Sequence, residues 1–158
     1  MTPVREQWPG DDDDKPAPGP LRRIQALVNT VERPDGADRL ADPADARSWL
    51  VDNDLLAPSA ELRGADLALA VDVREALRTL LVHNSGGPAP TPEQLASLQR
   101  IADEAQVRTA VARDGRVLLS TAGDDLCGRL AGLLLAIRDA QRDGSWSLLK
   151  ACRNDECQ

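Results

Sequence analysis

Apolar residues recur at intervals of three and four along most of the chain, the spacing of one buried face on an α-helix. Leu21, Ile24, Leu27, Val28 and Val31 form the first stripe. They predict a helix from the Pro18-Gly19-Pro20 run to about Val31, ended by Pro34-Asp35-Gly36. Asp42-Pro43 is an N-cap followed by proline at the first helical position. It opens a second helix that carries Trp49 and Leu50 and fades at Asp52-Asn53-Asp54. A third, longer helix over 65–83 has Leu69, Ala70, Val73, Leu77, Leu80 and Leu81 on one side, and the run Asn84 to Pro88 stops it. Thr91-Pro92-Glu93-Gln94 reads as a capping box before a fourth stripe of Leu95, Leu98, Ile101, Ala102 and Ala105. The period then changes. Two β-prone runs, Val107–Val111 and Val117–Thr121, flank Arg113-Asp114-Gly115-Arg116, and Asp-Gly between such runs predicts a hairpin. Asp124-Asp125 caps a fifth helix through Leu126, Leu130, Leu133, Leu134 and Ile137, with Gly128 and Gly132 on one face open to close approach. Asp143-Gly144 breaks it before Trp146. The predicted fold is mainly α, a compact bundle of about five to six helices with one β-hairpin at about residues 107–121.

Composition narrows this picture. There is no Phe or Tyr and there are three Trp, so the core must be built from Leu, Ala and Val, which suits packed helices. Trp49 and Trp146 read as core anchors. The net charge of −7, with no Lys/Arg run longer than Arg22-Arg23, makes these 158 residues a poor nucleic-acid binder by themselves. No apolar run is long enough to span a bilayer. Three cysteines and no signal peptide point to a reducing cytoplasm. Residues 1–17, rich in proline and holding Asp11–Asp14 and Lys15, read as a solvated acidic tail.

Candidate chemistry is sparse. Cys152 and Cys157 have the close spacing of a zinc ligand pair, but a structural zinc site needs four ligands and these are half of one. Cys127 on the fifth helix reads as a buried small hydrophobe. With His83, the only histidine, it is the sole candidate for a nucleophile–base pair. His83 also suits the negative end of its helix. Arg74 and Arg78 are one turn apart, beside the apolar stripe of the third helix. They could clamp an anion, or lie on a solvated face with Glu75 and Asp72 as partners. Asn29 and Thr30, polar residues ending an apolar helix, suit a turn or a ligand contact. No Ser/His/Asp set, paired histidines or phosphate loop is present, so the chain reads as a non-enzyme.

The order of these segments carries a resemblance. Leu27-Val28-Asn29-Thr30 ends the first helix, and Val73-Arg74-Glu75-Ala76-Leu77-Arg78 runs to His83-Asn84. The Asp-Gly hairpin and a Leu-rich helix follow, then Gly144-x-Trp146-x-x-Leu149-Lys150-Ala151-Cys152. Over about residues 16–158 this resembles the bacterial CGNR zinc-finger proteins, described as stress-induced transcription regulators, whose N-terminal part is the ABATE domain. The resemblance implies a helical regulatory domain at 18–146 and the start of a C-terminal zinc finger at 147–158. In it Cys152 and Cys157 match the first ligand pair, while the second pair and the Gly-Asn-Arg tail have no counterpart in this sequence. The expected cofactor is therefore zinc for the family protein, and none for this chain. DNA is expected as a partner through the missing part of the finger. A small-molecule ligand near Asn29, Thr30, Arg74, Arg78 and His83, and a homodimer, are the other expected partners. The expected function is a ligand-sensing or dimerising regulatory domain. The alternatives are a protein–protein interaction module without ligand and a small enzyme using His83 and Cys127.

Overall fold

A computed structural model describes residue 17, residues 19–31 and residues 36–151 of the chain. Five α-helices are present among them: α1 (Leu21–Val28), α2 (Pro43–Asp52), α3 (Gly64–Asn84), α4 (Ala96–Glu104) and α5 (Leu126–Asp143). The strands β1 (Val107–Val111) and β2 (Val117–Thr121) form one antiparallel hairpin between α4 and α5. A short 3-10 turn, Ser145–Leu148, follows α5. The mainly helical fold with a single hairpin is the one the hydrophobic pattern predicts.

The long helices α3 and α5 pack against each other, and both contact α1 and α4. Ile24 and Leu27 of α1, Leu50 of α2, Val73 and Leu77 of α3, Ile101 of α4 and Leu126 and Leu130 of α5 are almost fully buried where these helices meet. Leu40, Leu55 and Leu56 bring the connections on either side of α2 into the same core. With no Phe or Tyr to fill space, the core is made of many small contacts, each buried Leu contributing about 2 kcal/mol.

The caps largely follow the sequence. The Asp42 carboxylate accepts the N–H groups of Ala44 and Asp45 at 3.0 Å each, and the Asp125 carboxylate accepts that of Gly128 at 3.0 Å. Gly115 supplies the positive φ of +84° that the hairpin turn needs, and Gly144 (φ +85°) ends α5.

Two boundaries differ from expectation. Helix α1 ends at Val28, a turn before Val31. There the Thr30 hydroxyl donates to the Leu27 carbonyl (2.7 Å), and the Thr30 carbonyl accepts the Arg39 N–H (2.9 Å). Val31 then pairs with Asp38 in an isolated antiparallel bridge, so the backbone turns into a loop instead of continuing helical. At α4 both capping-box bonds form, Thr91 N–H to Gln94 Oε1 (2.9 Å) and Gln94 N–H to Thr91 Oγ1 (3.3 Å). Residues 92–95 are nevertheless turns, and regular helix starts at Ala96. The Leu95 N–H is shared between the Thr91 and Pro92 carbonyls, which tightens the first turn.

Close approach at α5 is met at Gly128. A methyl group there would lie 2.8 Å from the Ala122 carbonyl oxygen and 3.0 Å from that of Gly123, both backbone atoms that cannot swing aside. Gly128→Ala is therefore expected to destabilise the chain by about 1–3 kcal/mol. Gly64→Ala, at a helix start with open space around it, should cost less than about 0.5 kcal/mol. Urea unfolding of the two variants beside the parent chain measures the contrast.

Candidate functional site

The most polar part of the interior lies on α3. Arg74 and Arg78 are 4% and 8% exposed, so they lie within the buried arc of α3 and not on a solvated face beside it. The expectation fails because α3 is covered on several sides, and Ala76 is buried along with Val73 and Leu77. A charge placed there has to be paired.

The partners come from three segments. Arg74 meets the Asp38 carboxylate in a bidentate pair, Nη1 to Oδ1 at 2.7 Å and Nη2 to Oδ2 at 3.1 Å. Its Nη1 also donates to Thr30 Oγ1 (3.2 Å), and its Nε to Glu75 Oε1 (3.0 Å). Arg78 donates through Nε to Glu75 Oε2 (3.2 Å) and through Nη2 to the Val28 carbonyl (2.9 Å). Glu75 thus bridges the two arginines, while Asp38, Thr30 and the carbonyl end of α1 complete the set. Burial alone would raise the Asp38 pKa. The hydrogen bonds from Arg74 and the Leu40 N–H, with the positive charges of Arg74 and Arg78, outweigh it and hold the carboxyl below the usual range.

Next to this network a groove of about 570 Å³ runs between α3 and the start of α4. Asp72, Glu75, Arg78 and Thr79 form one wall, and Gln94 and Ser97 the other. The sequence marked Arg78 and Glu75 but not the opposite wall, because nothing local in Gln94 or Ser97 reveals which helix they face.

The end of α3 holds the C-terminal segment. Asn84 Nδ2 donates to the carbonyls of Trp146 (3.0 Å) and Leu149 (2.9 Å). Ser85 Oγ reaches the Ala151 carbonyl (2.7 Å), and the Ala151 N–H donates to the Leu81 carbonyl (3.2 Å). Trp146 and Leu149 are both buried, so Trp146 is the anchor its rarity suggested. The run from Asn84 to Pro88 marks a helix stop in the sequence, but the role of Asn84 as a clamp has no sequence signature.

The remaining candidates fall apart spatially. Thr30 joins the arginine network, whereas Asn29 is exposed at the end of α1, its N–H bonded to the Gln25 carbonyl. His83 is exposed in the last turn of α3, its Nδ1–H directed at the Gly87 carbonyl (3.2 Å). Cys127 is half-buried at the start of α5, and its thiol points at Glu104 Oε2 (3.6 Å). Burial pushes the thiol pKa up, and the hydrogen bond and negative charge of Glu104 add to it. That environment disfavours a thiolate. His83 lines neither the α3–α4 groove nor the cavity of about 510 Å³ that Cys127 shares with Glu104, Arg108 and Asp125.

Cys152 and Cys157 lie outside the described residues, as do Trp8 and Asp11–Asp14. Among the described residues no group of three His, Cys, Asp or Glu side chains is placed to hold a metal ion. Two thiolates fit half of a tetrahedral zinc set, so two more ligands would be needed. No helix among the described residues is long and apolar enough to cross a membrane.

The described residues thus form a small helical domain with a buried ion network, a polar groove and a clamped C-terminal segment. The profile of the ABATE family, described as "Putative stress-induced transcription regulator", matches residues 21–141, and the chain belongs to that family. Neither the curated proteins nor the solved structures contain a match to it.

Arg74→Ala would leave Asp38, Glu75 and Thr30 without their shared donor. Because both carboxylates are partly exposed, the expected loss is about 2–3 kcal/mol, below that of a fully buried pair. Asp38 has a lowered pKa in the folded state. Its contribution is therefore complete above the unfolded value of 3.8 and is lost as pH falls through the lower folded value. Stability measured from pH 6 down to pH 2 should fall less steeply below about pH 4 in Asp38→Asn than in the parent chain.

Proposed function

We propose that the helical unit is the regulatory part of a stress-responsive transcription regulator, acting in the cytoplasm and without catalytic activity. In this reading the α3–α4 groove takes a small polar ligand, and DNA is contacted from the zinc-binding region to which Cys152 and Cys157 contribute two of four ligands. The observation that carries the reading is the Asn84–Ser85 clamp. It fastens the residues just before Cys152 to the helix that carries Arg74 and Arg78 and walls the groove. A ligand that shifts α3 would thereby shift the segment leading to the zinc ligands. Family membership supports transcription regulation as the output. The raised thiol pKa of Cys127, and a Cys127 cavity that His83 does not line, oppose the enzyme alternative.

Immunoprecipitation of the tagged protein with its bound DNA, from stressed and unstressed cells of its source, tests the output. Stress-dependent enrichment at promoters is the expected result, and zinc in the purified protein should fall on Cys152→Ser. Absence of enrichment under every stress tried would sink direct transcription regulation.

The clamp has its own measurement. Asn84→Ala removes two hydrogen bonds worth about 1 kcal/mol each. Hydrogen exchange at the Leu149 and Ala151 amides should then quicken by about ten-fold or more, while that of α5 stays as in the parent chain.

A second reading, an interaction module that takes no ligand, is favoured by one observation. Val107, Val111, Val117, Leu118 and Leu119 of the hairpin are exposed.

A further inference from the structure

Both arginines that the sequence offers as an anion clamp are committed inside the protein. Arg74 donates to Asp38, Thr30 and Glu75, and Arg78 to Glu75 and the Val28 carbonyl. Among the described residues that line the groove between α3 and α4, Arg78 is the only basic one, and Glu75 beside it holds it in an ion pair (3.2 Å). Two further carboxylates line the groove, Asp72 on α3 and Glu93 just before α4. Neither has an ion-pair partner among the described residues. The groove therefore presents negative charge from both of its walls.

The uncharged polar lining adds acceptors. The Thr79 hydroxyl donates its hydrogen to the Glu75 carbonyl (3.0 Å), so only its lone pairs are left for the groove. The donors of the opposite wall, the Gln94 amide and the Ser97 hydroxyl, are neutral. Ala76, Val82 and Pro88 supply apolar surface. The α3 wall, from Asp72 to Val82, is about 15 Å long at about 1.5 Å per residue, so the groove is a slot. Its carboxylates stand apart, because no three acidic side chains among the described residues converge closely enough to hold one metal ion. No aromatic residue is among those lining it, so it is not a cage for a quaternary ammonium group.

We infer that the ligand of the α3–α4 groove is a linear aliphatic polyamine, an inference that rests on the reading of this groove as a ligand site. Its ammonium groups donate to Asp72 and Glu93 on the two walls and to the lone pairs of Thr79. Its methylene segments lie along Ala76, Val82 and Pro88. Each ammonium group brings N–H donors to walls that offer acceptors, and its charges are spaced apart as the carboxylates are. Such a ligand leaves the Glu75 bridge between Arg74 and Arg78 in place, because Asp72 and Glu93 take no part in that network. A dicarboxylate or phosphate of the same size meets its own sign of charge on both walls, and the one guanidinium there is already shared between Glu75 and the Val28 carbonyl. A chain of charge −7 attracts any cation in a diffuse way, so the inference turns on these two carboxylates and not on the total.

Isothermal titration calorimetry of the 158-residue chain at low ionic strength, with spermidine as the probe, is the test. One saturable site is expected. Asp72→Asn and Glu93→Gln, both at exposed positions that keep the fold, should each weaken binding about 2- to 5-fold, and together about 10-fold. Glu61→Gln combined with Asp139→Asn removes the same charge outside the groove and should weaken it less than about 2-fold. Equal weakening by this control pair would overturn the inference, since the attraction would then be to the chain at large. So would magnesium that binds through Asp72 and Glu93 in place of spermidine, the mark of a metal site. Silence from spermidine overturns it outright, and glutarate then separates it from the reading beneath it. If glutarate binds and Ala96→Trp, which fills the groove, blocks it, the groove remains a ligand site for the opposite charge. If glutarate is silent too, the ligand reading falls as well and the interaction module without ligand is left.

Discussion

Two guanidinium groups inside a helical core set the terms for the rest of this molecule. A buried charge without a partner costs several kcal/mol, so Arg74 and Arg78 require oxygen atoms at fixed places around the middle of α3. The carbonyl end of α1 supplies one, which requires the helix to stop at Val28. The Val31–Asp38 bridge folds the following loop back and delivers a carboxylate to Arg74. Glu75 spans both arginines from their own helix. The early end of α1, the loop after it and the docking of α1 on α3 are thus one arrangement satisfying one electrostatic demand.

That demand explains what could and could not be seen in the sequence. Stripes such as Leu69, Val73, Leu77 and Leu81 fixed α3 because helical periodicity is local information. Asp42-Pro43, Asp125 and the Asp-Gly turn were equally plain, since each cap or turn acts within four residues of its own position. The arginines were harder to read. Their spacing sets them at the margin of the stripe, and burial was decided by how many helices surround α3. Asp38 stands 36 residues from Arg74, and no local rule connects the two. The α1 boundary failed for the same reason, because the apolar pattern runs through Val31 while the hydrogen bonds of Thr30 do not.

The candidate site was legible in part. Thr30, Arg74 and Arg78, drawn from two separate runs, come together as one network; of the two acidic partners expected on a solvated face, Glu75 bonds both arginines, in a buried setting, while Asp72 is seen only in the groove wall. Asn29 and His83 lie outside it. The clamp at Asn84 and Ser85 has no local signature, because amide and hydroxyl side chains at a helix end ordinarily serve that end alone. Here they serve a segment more than sixty residues away.

The scarcity of aromatic residues has a further consequence. With no tyrosine, near-ultraviolet absorption and emission come from Trp8, Trp49 and Trp146 alone. Trp49 is fixed in α2, and Trp146 is buried in the segment that α3 clamps. The protein therefore carries an intrinsic optical gauge of that joint. If the residues before Cys152 leave α3, the Trp146 indole exchanges an apolar setting for water, and the spectrum registers the change without any label attached.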